Sequence, residues 1–183
     1  MIGWIIGAVV VVAIIVFVIV TYNSLVQLRN KVKNAFAQID TQLQRRFDLI
    51  PNLVETVKGF ATHEKELLES VAASRSGYIN ASSNGEKMAM NNQLTSSLRS
   101  LFAVSENYPE LKSNTNFLQL QDELSETEDK ITYARQFYND AVTIYNNKIQ
   151  TFPNNMVAGI FGFREEELFN SVEDAKDAPR VSF

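Results

Sequence analysis

The sequence predicts an all-α protein: an N-terminal transmembrane helix followed by an antiparallel four-helix bundle with long helices. Three observations predict it. The first charged side chain is Arg29, so the opening apolar run is long enough to span a bilayer. Beyond it, apolar residues recur at steps of three or four, and no segment of any length has the period of a strand. Glycine and proline number only 7 and 4 in 183 residues, so little interrupts a helix.

Met1 to Val20 carries no charge, and as a helix it is about 30 Å long, the thickness of the hydrocarbon core. Val9 to Val12 and Ile14 to Val20 are rich in β-branched residues. These weaken a helix in water, but in lipid the backbone has no partner outside the segment and the helix is enforced. Trp4, Val9, Ile14, Phe17 and Val20 mark the span, with Trp4 near one end and Tyr22 at the other, where amphipathic rings favour the interface. A cleaved signal would need a basic start, a shorter apolar core and a small-x-small cleavage site. None is present, so the segment reads as an uncleaved anchor. Gly3 and Gly7 form a G-x-x-x-G pair at the very end of the span and read as chance small residues. Lys and Arg are absent from the N-terminal side, whereas Arg29, Lys31 and Lys33 follow the span. The positive-inside rule then puts the N-terminus outside the cell and the remainder in the cytoplasm of a single-pass cell-membrane protein.

No Gly or Pro occurs from Ala8 to Ile50. Leu25, Leu28, Val32, Phe36, Ile39, Leu43, Phe47 and Ile50 form one apolar stripe through that run, so the anchor either continues into the first bundle helix or breaks at an Asn23 or Ser24 cap. A kink or a restarted helix is expected at Pro51, with Asp48 as N-cap. Gly59 and Thr62 mark a second break, and Glu64 and Glu66 suit the start of a further helix. Ser82 to Gly85 reads as a loop, and a third helix follows from about Glu86 to Glu106, stopped by Pro109. Asn114 or Thr115 can cap a long fourth helix whose stripe is Phe117, Leu120, Leu124, Ile131, Ala134, Tyr138, Val142, Tyr145 and Ile149. Pro153 ends it. The expected organisation is therefore an anchor over 1–21, a helical bundle over 22–152, a short helix or turn packed on it over 153–172, and a mobile tail over 173–183. Four amphipathic helices with short connections bury their stripes most economically as an antiparallel bundle.

The net charge of −4, with no basic stripe, argues against nucleic-acid binding. The absence of Cys excludes disulfides, thiolate metal sites and cysteine nucleophiles. His63-Glu64 suggests H-E-x-x-H, but Leu67 stands where the second His must be. One His cannot supply a di-iron bundle site, and no G-x-S-x-G elbow occurs. The run Asp122, Glu123, Glu126, Glu128 and Asp129 reads as a solvated face or as salt bridges to Lys112, Lys130 and Arg135. No catalytic, metal or cofactor residues are assigned. The polar residues that stand out are Arg45 and Arg46 beside Asp48 near the expected kink, then Asn52, and Asn114, Asn116 and Gln119 at the start of the long helix. They read as ion pairs and caps, or as an interaction site near the bundle ends.

The stretches YNSLVQLRNKV, AFAQIDTQLQRRFDLIPNLVETVKGFATHE, ENYPELKSNTNFLQLQDELSETEDKI, ARQFYNDAVTIYNNKIQTFPNN and GFREEELF resemble the LemA family of bacterial membrane proteins, over nearly the whole chain to Phe169. The resemblance implies an N-terminal transmembrane helix, a short extracellular N-terminus and a cytoplasmic four-helix bundle. It implies no reaction and assigns no functional residue. A related branch serves in magnetosome membrane formation, and the family is linked with membrane proteases of envelope stress. The expectation is a non-enzymatic scaffold in the lipid bilayer, assembling with itself or with a membrane-protein partner. The alternative is a ligand-binding sensor or regulator of an envelope-stress membrane protease, with a polar pocket near Arg45, Arg46 and the segment 114–119.

Overall fold

The computed structural model describes residues 1–61 and 63–170. Among them are six helices and no strand: α1 (Ile2–Lys58), α2 (Lys65–Asn80), α3 (Asn84–Ser105), α4 (Pro109–Lys112), α5 (Thr115–Gln150) and α6 (Asn154–Ile160). The all-α class is as expected. The expected break marker Thr62 and the expected tail over 173–183 lie outside the described residues.

Helix α1 is a single helix of 57 residues, about 85 Å long. The anchor therefore continues into the packed helix, and Asn23 and Ser24 cap nothing. Its N-terminal part is long and apolar enough to cross a membrane, and none of its most apolar window is buried within the protein. The stripe then turns inward: Leu25, Val32, Phe36, Ile39, Leu43, Phe47 and Ile50 are all buried. Pro51 does not restart the helix, one of the two outcomes expected there. Its ring leaves the Phe47 carbonyl without its usual donor. Phe47, Ile50, Leu53 and Val57 are nevertheless buried on both sides of it, and that packing carries the helix to Lys58. Asp48 is accordingly mid-helix, accepting a hydrogen bond from Gln44 at 2.9 Å instead of capping. The break falls where Gly59 predicts it.

The chain forms two compact units. One comprises Gln38–Arg135 with Phe169 and Asn170. It packs five helical segments: the end of α1, then α2, α3, α4 and the start of α5. Helices α2 and α3 form an antiparallel hairpin, with Ser70 meeting Ser97 at 2.9 Å and Gly77 facing Met90. A Cβ at Gly77 would stand 2.2 Å from the Met90 sulfur, so any larger residue there would make the flexible Met90 side chain shift. Phe47 stacks on Tyr78 with ring centroids 4.3 Å apart, and Phe102 meets Phe117 edge-on at 6.1 Å.

The loop before α3 is shorter than expected, because Asn84 and Gly85 are already helical. Ser83 is the N-cap, its hydroxyl accepting from the Glu86 N–H at 3.2 Å. The Glu86 carboxylate reaches back to the backbone N–H and hydroxyl of Ser82 at 2.6 and 3.0 Å, and these bonds hold its pKa below the usual value. Ser83→Ala is expected to lower stability by about 1 kcal/mol, read as a fall in the unfolding midpoint with an unchanged denaturant slope. Helix α3 ends at Ser105, before Pro109, which instead opens the single turn of α4. Asn114 caps α5 as expected, its side-chain oxygen accepting from the Phe117 N–H at 3.0 Å.

The other unit comprises Met1–Ala37 and Gln136–Leu168. It holds the start of α1, the end of α5, α6 and the non-helical segment 163–168. Phe36 meets Tyr138 edge-on at 5.6 Å. The segment 163–168 contains most of the GFREEELF motif, and α5 satisfies its backbone. Tyr145 donates to the Arg164 carbonyl at 2.9 Å and Tyr138 to the Glu167 carbonyl at 2.8 Å. The Asn146 amide both donates to the Glu166 carbonyl and accepts from its N–H, at 2.9 and 3.0 Å. Burial, reinforced by Glu166 and Glu167, pushes the Tyr138 phenol up to about 12, so it remains a donor at every physiological pH.

Candidate functional site

Arg45 and Arg46 are neighbours in sequence, but successive helical residues point about 100° apart. Arg45 faces solvent and stands 3.9 Å from Glu126, both of them about half exposed. Arg46 turns inward and is 2% exposed. Its Nη1 donates to Asn91 Oδ1 at 2.7 Å and Thr95 Oγ1 at 3.0 Å, both on α3. Glu128 Oε2 of α5 lies 2.6 Å from the same nitrogen. The two hydrogens of Nη1 are already taken by α3, so Glu128 contributes charge without an aligned hydrogen bond. Burial pulls the Arg46 pKa down from its ordinary value and Glu128 opposes the shift. A guanidinium still stays charged. One buried cation thus links α1, α3 and α5, and its Nε is buried without a partner.

Arg46 lines a cleft of about 460 Å³ between α3 and α5, together with Thr95, Arg99, Gln121, Asp122, Ser125 and Glu128. Two cations and two carboxylates line it, so it has no net sign. A second polar cluster joins Asp40 to α2 and α3. Tyr78 donates to Asp40 Oδ1 at 2.8 Å, and Lys87 lies 2.8 Å from both Asp40 oxygens and 5.5 Å from the Tyr78 ring centroid. Burial and the Asp40 contact raise the Tyr78 pKa. Nothing in the sequence marked Asp40, Tyr78 and Lys87, which lie 38 and 47 positions apart from Asp40.

Asn52, Asn116 and Gln119 do come together. They line a groove of about 520 Å³ between α1 and α5 with Glu55, Thr56 and Glu123. Gln119 donates to Glu123 at 3.0 Å, so the groove is polar and acidic. The arginines and the segment 114–119 do not share a pocket: Arg46 is turned into α3, Arg45 and Asp48 face outward, and Asn114 is occupied as a cap. Of the acidic run, Glu126 pairs with Lys130 as expected, at 2.6 Å, whereas Lys112 pairs with Glu106 instead. Lys31 and Lys33 are exposed, while the Arg29 guanidinium lies 5.1 Å from the Phe163 ring centroid. Among the described residues no group of three or more His, Cys, Asp or Glu is placed to hold a metal ion. Among the described residues the geometry offers surfaces and buried electrostatic ties.

Residues 35–183 match the LemA family. The chain is 28% identical over 152 residues to Protein LemA of Metamycoplasma hominis, covering 82% of this chain and 69% of that protein. It is 26% identical over 198 positions to Magnetosome protein MamQ 2 of Paramagnetospirillum magneticum, covering 94% and 72%. Magnetosome protein MamQ of Magnetospirillum gryphiswaldense is 23% identical over 197 positions, covering 93% and 72%. The family match takes in the end of α1 and every later helix, and it follows a segment apolar enough to cross a membrane. This membrane-associated helical protein belongs to the LemA family.

Proposed function

We propose that this protein is a non-enzymatic, single-pass scaffold of the cell membrane, with its N-terminus outside and its helical units in the cytoplasm. In this reading it assembles with itself or with a membrane-protein partner. One observation carries it: α1 runs without interruption from the apolar segment into the packed core. A continuous helix joins the apolar segment to the packed helices without a flexible linker, as a docking platform requires. Confinement to one membrane raises the effective concentration of partners, so a modest contact face suffices. The acidic groove at Asn52, Asn116 and Gln119 is the face offered. The names of the LemA and MamQ relatives specify no reaction, in keeping with a binding role.

Two measurements test this. The chain has no cysteine, so Ser96→Cys on exposed α3 gives a single label. A membrane-impermeant maleimide is expected to react with it only after cells are permeabilised, and reaction in intact cells would reverse the orientation. A photo-crosslinking residue at Asn52 or Gln119 is expected to give discrete adducts in native membranes. If neither position captures a partner or a second copy, the scaffold reading falls.

A ligand-binding sensor is the second reading, favoured by the unpartnered Arg46 Nε beside the α3–α5 cleft. A small polar ligand there would raise the unfolding temperature in proportion to the logarithm of its concentration. Loss of that response in Thr95→Val, with the fold retained, would assign it to the cleft.

A further inference from the structure

We infer that α6 is an interfacial helix, embedded in the headgroup layer of the same membrane that α1 enters. The occupant of its exposed face is lipid. This rests on the reading of the N-terminal segment as a membrane span.

The argument begins with two opposite faces. Val157 and Ala158 are buried, each only 3% exposed. Met156 and Ile160 stand four residues apart on α6, which places them on one face, and they are 60% and 76% exposed; Phe152, two residues before the helix, is 74% exposed. Phe161, directly after the helix, is 50% exposed. Four large apolar side chains on a two-turn element are a heavy exposure for water, and contiguous patches of this kind mark interaction surfaces.

Position identifies the partner. The Phe161 ring lies 4.8 Å from that of Tyr22, and Phe163 lies 5.7 Å from the same ring. Tyr22 stands two residues beyond Val20, the last apolar residue of the span, which is about 3 Å along the helix axis. Within Met1 to Val20 exposure falls first at Val18, and Thr21 and Leu25 are buried. The α6 region is therefore held at the level where the hydrocarbon ends. The polar layer of each leaflet is only about 5 to 8 Å thick, so a helix at that height lies within it. An amphipathic helix there sinks its apolar face about 5 to 10 Å into the boundary between headgroups and acyl chains. The exposed face thus continues an apolar surface that α1 already presents to lipid. Val157 and Ala158 face the protein, so α6 works as a collar that fixes the height and tilt of the span's inner end.

The test uses the full chain in lipid vesicles, with one nitroxide label at a time at Met156→Cys, Val11→Cys or Ser96→Cys. The label at Val11 reports the span and that at Ser96 reports an aqueous surface. The expected result is a Met156 label several-fold more accessible to oxygen, relative to an aqueous nickel chelate, than the Ser96 label, and shallower than the Val11 label. Replacing Phe152 and Ile160 with Asp is expected to bring the Met156 label to the Ser96 value. A deep Val11 label with an aqueous Met156 label would overturn the collar and leave the span intact. An aqueous Val11 label would overturn both. Protection of Met156 that appears only at high protein density, with spin–spin broadening, would assign the face to a second copy and overturn the lipid assignment.

Discussion

Arg46→Ala is expected to destabilise the protein by about 3 to 4 kcal/mol, the range for removing one member of a buried ion pair. The guanidinium is 2% exposed and serves Asn91, Thr95 and Glu128 together. Its loss leaves two polar groups on α3 without their donor and opens a cavity at the junction of three helices. The Glu128 side chain is 34% exposed and recovers some hydration, which keeps the loss from rising further. Arg45→Ala is the control. Its partner Glu126 is exposed and lies 3.9 Å away, so no measurable change is expected. The measurement is the chemical unfolding midpoint of the full chain in micelles, followed by circular dichroism. Equal midpoints for the two variants would refute the buried network. The double replacement Arg46→Met with Glu128→Leu is expected to cost less than Arg46→Ala alone, because neither charge is then left unpaired.

Pro51→Ala is expected to stabilise the protein by about 2 kcal/mol. A proline inside a helix costs about 3 kcal/mol through its missing N–H and its clash with the preceding turn. The substitution also frees the unfolded chain, which offsets up to about 1 kcal/mol of that gain. Pro51 is exposed, so alanine meets no neighbour, and its N–H restores a donor to the Phe47 carbonyl. The outcome separates two structures. A helix restarted at Asp48 would place Pro51 in its first turn, where proline is favourable, and alanine would then be neutral or harmful. An unchanged or lowered unfolding midpoint would argue against a continuous α1.

Local signals were legible wherever one residue or one period decides the matter. Gly59 ends α1, Asn114 caps α5, and the stripe from Leu25 to Ile50 faces inward apart from the half-buried Leu28. The α5 stripe reads the same way, except that Leu120 and Ala134 are only half-buried and Thr127, completely buried, fills the position between Leu124 and Ile131. Its hydroxyl bonds to the carbonyls of Glu123 and Leu124, so the helix itself satisfies it and a polar residue passes for an apolar one. Boundaries that depend on competing local choices were less legible. Asn84 and Gly85 look like loop residues, but Ser83 outcompetes them as the cap.

The sequence by itself determined the helical class, the apolar span and the inward faces, because these follow from periodicity and from the cost of exposing or burying each side chain in turn. Only the tertiary structure decided which polar residues matter. Arg45 and Arg46 are chemically identical, and one helical step sends the first to water and the second to Asn91, 45 positions away. The carbonyls of Arg164, Glu166 and Glu167 are indistinguishable from any others until Tyr145, Asn146 and Tyr138 of α5 reach them. Pro51 breaks helices locally, yet the burial of Leu53 and Val57 beyond it outweighs the lost hydrogen bond. For the arginines and the carbonyls the deciding partner is remote in sequence, and for Pro51 it is the core that buries its neighbours; chain folding alone brings these within reach.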